Sequence, residues 1–123
     1  MSPEAFFRDL LLVLRVFSTV ELGRVRVTPR ALLRSLRARG SRGRLRTDPE
    51  RARLRRIIKA VDACFLGGGN CYRRALLEIA VDPIAAATPL NLGLRTGGGP
   101  RSGHAWLGPP DQSRARYDAE FSV

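Results

Sequence analysis

Gly67-Gly68-Gly69-Asn70-Cys71-Tyr72-Arg73-Arg74-Ala75-Leu76-Leu77 is the stretch on which the reading of this chain turns. Three consecutive glycines hold regular structure poorly, because each loses much backbone freedom on ordering, so they predict a loop. Asn70 is a favoured N-cap residue, and from Cys71 onward Ala75, Leu76, Ile79 and Ala80 recur at helical spacing. The stretch therefore predicts a loop that opens into a helix with a cysteine in its first turn. A thiol in that position meets the positive end of the helix dipole and unpaired backbone N–H groups, which favour the nucleophilic thiolate.

Working outward, the chain has 123 residues, enough for one domain with a core of its own. Its 44% apolar content is that of a globular protein rather than a disordered one. The formal net charge is +11, and Lys59 is the sole lysine, so arginine carries nearly all the positive charge. Codon bias toward arginine explains such a balance without function. An acidic partner is the functional alternative, with nucleic acid, a membrane surface and an acidic peptide as its classes. Two cysteines, Cys64 and Cys71, make no disulfide framework. Arg8, Asp9 and Arg15 interrupt the apolar N-terminal segment, so neither a signal peptide nor a membrane span is expected there, and a cytoplasmic location is.

Pro3 to Thr19 reads as a helix with a wide apolar face, followed by a link over Gly23 to Val27. Thr28-Pro29 starts a second helix that Gly40 ends, and Ser41 to Arg46 is a basic loop. Thr47 and Glu50 are spaced as a capping box for a third helix. Its apolar stripe is Leu54, Ile57, Ile58, Val61, Cys64 and Phe65, which makes Cys64 a buried structural cysteine. The Cys71 helix should run to about Val81, where Asp82-Pro83 stops it. Leu90, Leu92 and Leu94 alternate with Asn91, Gly93 and Arg95 as in a strand; His104 to Leu107 is a second strand, and Tyr117 to Val123 a third. Helices followed by an antiparallel meander predict an α+β domain. The single domain spans 1–123, with a helical region over 1–46 and the Cys-bearing core over 47–123.

A cysteine nucleophile needs a base within reach and a third group to orient it. His104, the single histidine, is the one imidazole base the chain offers. A hairpin between the last two strands would set Asp118 beside it, with Asp111 and Glu120 as competitors for the orienting role. Spacing alone favours a structural cysteine and a packed histidine, since one Cys and one His coexist in most proteins.

Three motifs alter that balance. Cys71-Tyr72-Arg73-Arg74-Ala75-Leu76 resembles the Cys-x-x-Arg-(Ala/Ser)-Leu signature of transglutaminase-like superfamily members that process lasso-peptide precursors, the microcin-processing B-protein type. Gly93-Leu94-Arg95 resembles that family's Gly-Val-Arg strand, and His104-Ala105-Trp106 matches its His-Ala-Trp motif. The resemblance covers about Leu54 to Val123. It departs at Leu107-Gly108, where a Val-Glu pair is usual, and at Asp82 to Ala87, which lacks an Arg-Arg-x-Gly pattern.

The resemblance implies a papain/transglutaminase-like core in which the Cys-bearing helix packs on a small antiparallel sheet. It implies a cysteine peptidase that removes the leader from a ribosomally synthesised precursor through a thioester acyl-enzyme. Cys71 would be the nucleophile, His104 the general base and then acid, and Asp118 the orienting carboxylate. The implied partners are the precursor peptide, a leader-recognition protein and an asparagine-synthetase-like cyclase. Trp106 and Arg74 are candidate substrate contacts; Arg74 also has Glu78 at the helical ion-pair spacing of four.

No cofactor or metal is called for. The glycine run lacks the Gly-Lys-(Ser/Thr) ending of a phosphate loop, and Cys64, Cys71 and His104 lack a fourth zinc ligand and a CxxC pairing. The alternatives are a transglutaminase-like protein acting on another amide, an inactive one, or a basic nucleic-acid-binding module built on Arg30 to Arg56.

Overall fold

The computed structural model describes residues 3–64, 70–94, 103–108 and 119–122. Its elements run α1 (Pro3–Arg26), α2 (Pro29–Ser41), α3 (Asp48–Cys64), α4 (Cys71–Val81), α5 (Pro83–Ala86), β1 (Leu90–Leu94), β2 (Gly103–Leu107) and β3 (Ala119–Ser122). The α+β class and the order of helices before strands are as the sequence predicts.

Local chemistry starts the helices where expected. The Thr28 hydroxyl accepts from Ala31 N at 3.2 Å ahead of Pro29. Thr47 N donates to Glu50 Oε1 at 2.9 Å while Glu50 N donates to Thr47 Oγ1 at 3.3 Å, a reciprocal capping box. The bond from Thr47 N, together with the Thr47 hydroxyl beside it, draws the Glu50 carboxyl below its ordinary range. Asp82 closes α4 and caps α5 through Ile84 N at 3.1 Å.

Three expectations about the helical part need correction. The link placed at Gly23 to Val27 is helix as far as Arg26, and Gly23 serves packing inside it: a Cβ there would stand 2.5 Å from Leu32 Cδ1 of α2. Gly40 does not end α2 but lies within it, and a Cβ there would collide with the Ile79 carbonyl oxygen of α4. Cys64 is exposed: the elements that bury Leu54, Ile57, Ile58 and Val61 on the same stripe do not cover it.

α4 is the central element, packed against α1, α2, α3, α5 and β2. Leu76, Leu77 and Ile79 have no exposed surface, and Ala75, Ala80 and Val81 are buried around them. A helix apolar on nearly every side can only be an interior one. Burying each such Leu or Ile contributes roughly 1.5–3 kcal/mol. The stripe of α1 that meets this core is Asp9, Val13, Val16 and Val20, so a carboxylate sits among valines. Two arginines meet it: Arg46 at 3.3 Å and Arg53 at 3.0 Å. Arg37 ties α2 to the end of α5 by donating to the Ala86 and Thr88 carbonyls at 2.8 and 2.9 Å. Part of the arginine content thus holds the helices together.

The sheet has the order β2-β1-β3, with both pairs antiparallel. This corrects the meander, in which β2 and β3 would have been neighbours. Leu90 and Ala105 enter the core, and Leu92 and Leu107 pack against it.

Candidate active site

The loop before α4 enters the helix through two anchors. Asn70 Oδ1 accepts from Arg73 N at 3.1 Å, as the N-cap reading requires, and Asn70 N donates to Asp62 Oδ2 at 2.8 Å. Asp62 is fully buried near the end of α3. Its other oxygen receives Arg73 Nε at 2.6 Å, its backbone carbonyl receives the same guanidinium at 3.2 Å, and Arg74 reaches Oδ2 at 3.2 Å. Arg73 also meets Glu21 at 3.4 Å and lies over the Phe17 ring at 5.2 Å. One carboxylate therefore fixes the cap, the first turn and the orientation of α4.

That first turn begins with Cys71, which is half-buried. Its Sγ accepts a hydrogen bond from Ala105 N at 3.3 Å. Ala105 follows His104, so the peptide group joining those two residues abuts the sulfur. β2 is an edge strand, and its Ala105 N–H points outward to the thiol rather than into the ladder. The sulfur thus lies between the first turn of α4 and the Ala105 N–H of β2.

The predicted site residues divide as follows. Cys71 stands at the helix start as expected. His104 pairs in register with Gly93 on β1, one residue from the sulfur's donor. Asp118 and Asp111 lie outside the described residues. The hairpin that was to bring Asp118 to His104 is not the arrangement found, since β3 pairs with β1. Glu120 pairs with Gly93 as His104 does, so His104, Gly93 and Glu120 form one row across the three strands. Trp106 is half-buried and lines the cleft at Cys71. Arg74 lines it too, but its carboxylate partner is Asp62, not Glu78.

This cleft has a volume of about 590 Å³. Beyond Cys71, Arg74 and Trp106 it is bordered by Arg51, Arg55 and Lys59, which repeat every four residues along one side of α3. Glu78 is the acid among them. Burial holds its carboxyl above the ordinary range; Arg55 and Arg51, at 3.8 and 3.9 Å, offset this in part, and the Asp82 charge adds to the rise. Neither these α3 cations nor Asp62 is among the residues that the sequence predicts for this site. The four-residue spacing of Arg51, Arg55 and Lys59 was the available signal. For Asp62 it was the one acid of α3 beyond its first turn, placed just ahead of a glycine run.

Among the described residues, no group of three or more His, Cys, Asp or Glu side chains is placed to hold a metal ion, and no helix is long and apolar enough to cross a membrane. In comparison with known proteins, the chain matches no family model, no curated protein and no solved structure.

Proposed function

We propose that this protein is a cysteine peptidase of the transglutaminase-like kind, which removes the leader from a ribosomally synthesised lasso-peptide precursor. One observation carries the reading. The three motifs behind the resemblance are far apart in the chain and meet in space: Gly93 of β1 pairs with His104 of β2, and the next residue, Ala105, donates to Cys71 Sγ at 3.3 Å.

The chemistry follows from those positions. The Cys71 thiolate attacks the scissile carbonyl carbon, forming a C–S bond and a tetrahedral oxyanion, and the backbone N–H of Cys71 is the donor proposed for that oxyanion. Collapse breaks the C–N bond, the imidazolium of His104 protonates the departing amine, and a thioester remains. His104 then takes a proton from water, whose oxygen attacks the thioester and releases the acid and the thiol. The orienting carboxylate comes from the last segment. The family pattern nominates Asp118; the strand register nominates Glu120.

Arginine density was the support for a nucleic-acid module. Arg37, Arg46, Arg51, Arg53, Arg73 and Arg74 are engaged with carbonyls or carboxylates of this same chain, which leaves that reading fewer cations to work with. The test is cleavage of the cognate precursor, with its recognition partner, followed by mass spectrometry. Cys71→Ala and His104→Ala should each abolish cleavage. Wild-type cleavage by Cys71→Ala would end the peptidase reading.

A further inference from the structure

A second concavity, about 850 Å³, lies at the opposite end of α4 from Cys71. It is formed by α1, the α2–α3 connection, and Ala80 and Val81 of α4. Ten residues of helix separate Val81 from Cys71, a distance of roughly 15 Å. Its floor is aliphatic, with Leu11, Leu12, Ala80 and Val81 among the lining residues, and Phe7 stands at its edge. Phe7 and Leu11 are each 60% exposed.

The charge around this floor is one-sided. Arg8, Arg15, Arg39, Arg42, Arg44 and Arg46 line the groove, against Glu4. Among the described residues no carboxylate pairs with Arg8, Arg15, Arg39 or Arg42, and Arg44 meets Glu50 only at an exposed 3.4 Å. Arg46 supplies a second observation. Its side chain is 5% exposed; its terminal nitrogens are taken by Val81 O at 2.7 Å and Asp9 Oδ1 at 3.3 Å. Its Nε is buried without a hydrogen-bond partner. A buried donor left unsatisfied is costly, so this corner of the groove wall carries positive charge that the chain itself does not fully engage.

We propose that this groove docks an acidic amphipathic peptide segment, with apolar side chains on Phe7, Leu11 and Leu12 and carboxylates on the surrounding arginines. Planar guanidinium groups match carboxylates in a bidentate fork, and the aliphatic floor gives the remaining face of such a peptide somewhere to be buried. A phosphate backbone would use the arginines but leave that floor bare. A bilayer surface is flat where this site is concave. The site is separate from the Cys71 cleft, so the inference stands whether or not the peptidase reading does.

The test uses the full chain carrying Cys71→Ala, so that cleavage cannot intrude. The probe is a fluorescein-labelled helical peptide of roughly 14 residues, about four turns, with leucine on one face and glutamate on the rest. Fluorescence anisotropy should show saturable binding. Arg8→Glu with Arg15→Glu should weaken it about tenfold, as loss of charge-assisted contacts implies, and Phe7→Ser with Leu11→Ser should weaken it comparably. Arg30→Glu with Arg34→Glu, an equal charge change outside the groove, should leave it within about twofold, the charge effect being screened at physiological salt. Thermal unfolding confirms that each exposed-site variant is folded. Equal losses from the two arginine pairs would reduce the effect to net charge and overturn the proposal. So would tighter binding, through the groove residues, of a single-stranded DNA oligonucleotide or of vesicles containing phosphatidylserine.

Discussion

Arg73 Nε stands 2.6 Å from Asp62 Oδ1, and both side chains are almost wholly buried. Water reaches neither group, and this bond is the shortest each of them makes. Asp62→Ala would take from a buried guanidinium its nearest carboxylate, leaving Glu21 at 3.4 Å, and should destabilise the protein by about 3–5 kcal/mol, read from chemical denaturation. Adding Arg73→Met removes the stranded charge and should recover part of that loss. A double variant no more stable than Asp62→Ala would show that the carboxylate matters chiefly through Asn70 and Arg74.

The two thiols offer a second test. Cys64 is exposed and Cys71 is half-buried, so access alone favours Cys64. Cys71 has the helix start and the Ala105 N–H at its sulfur. Iodoacetamide near neutral pH should therefore label Cys71 first, with each site followed by peptide mapping. Faster labelling of Cys64 would mean that exposure, not activation, sets reactivity in this chain.

The orienting carboxylate is decided by neutral isosteres. Glu120 shares the register row of His104, whereas the strand neighbour relation that recommended Asp118 is absent. Glu120→Gln should lower kcat by about 10²–10⁴ with KM little changed, as loss of a group that fixes an imidazole does. Asp118→Asn should be the milder change and Asp111→Asn nearly silent. The reverse order would return the role to Asp118.

Glu78 gives a pH dependence. Its raised carboxyl affinity means the folded state binds more protons than the unfolded one over a window above the ordinary value of about 4.3. Stability contributed by the protonated form is present below that value and is lost as pH rises through the folded pKa. Glu78→Gln should remove this slope and be more stable than wild type at pH 7, with the difference vanishing in acid. Paired thermal melts across pH check it. A variant less stable than wild type at pH 7 would show that Arg51 and Arg55 outweigh the burial.

What the sequence revealed was mostly local. Thr28, the Thr47–Glu50 pair, Asn70 and Asp82-Pro83 each act within a few residues, so helix starts and stops could be read from them. The placing of Cys71 at a helix start followed from the same chemistry. Gly23 and Gly40 were misread because their role is set by helices distant in sequence. Cys64 fits an apolar stripe, but a periodic pattern does not say where the covering elements end. The strand order was hidden for a related reason: alternation marks strands without naming their partners, so the row of His104, Gly93 and Glu120 emerged only with the sheet.

Gly40 has a bearing on how any genetic screen of this protein must be read. Even a methyl group there meets the Ile79 carbonyl of the central helix. If Cys71 is the nucleophile proposed above, a selection for inactive variants would return every substitution at Gly40 beside those at Cys71, and the two positions would look equally essential. Protein abundance in the cell separates them, because Cys71→Ala should accumulate normally while Gly40→Ala is cleared by quality control.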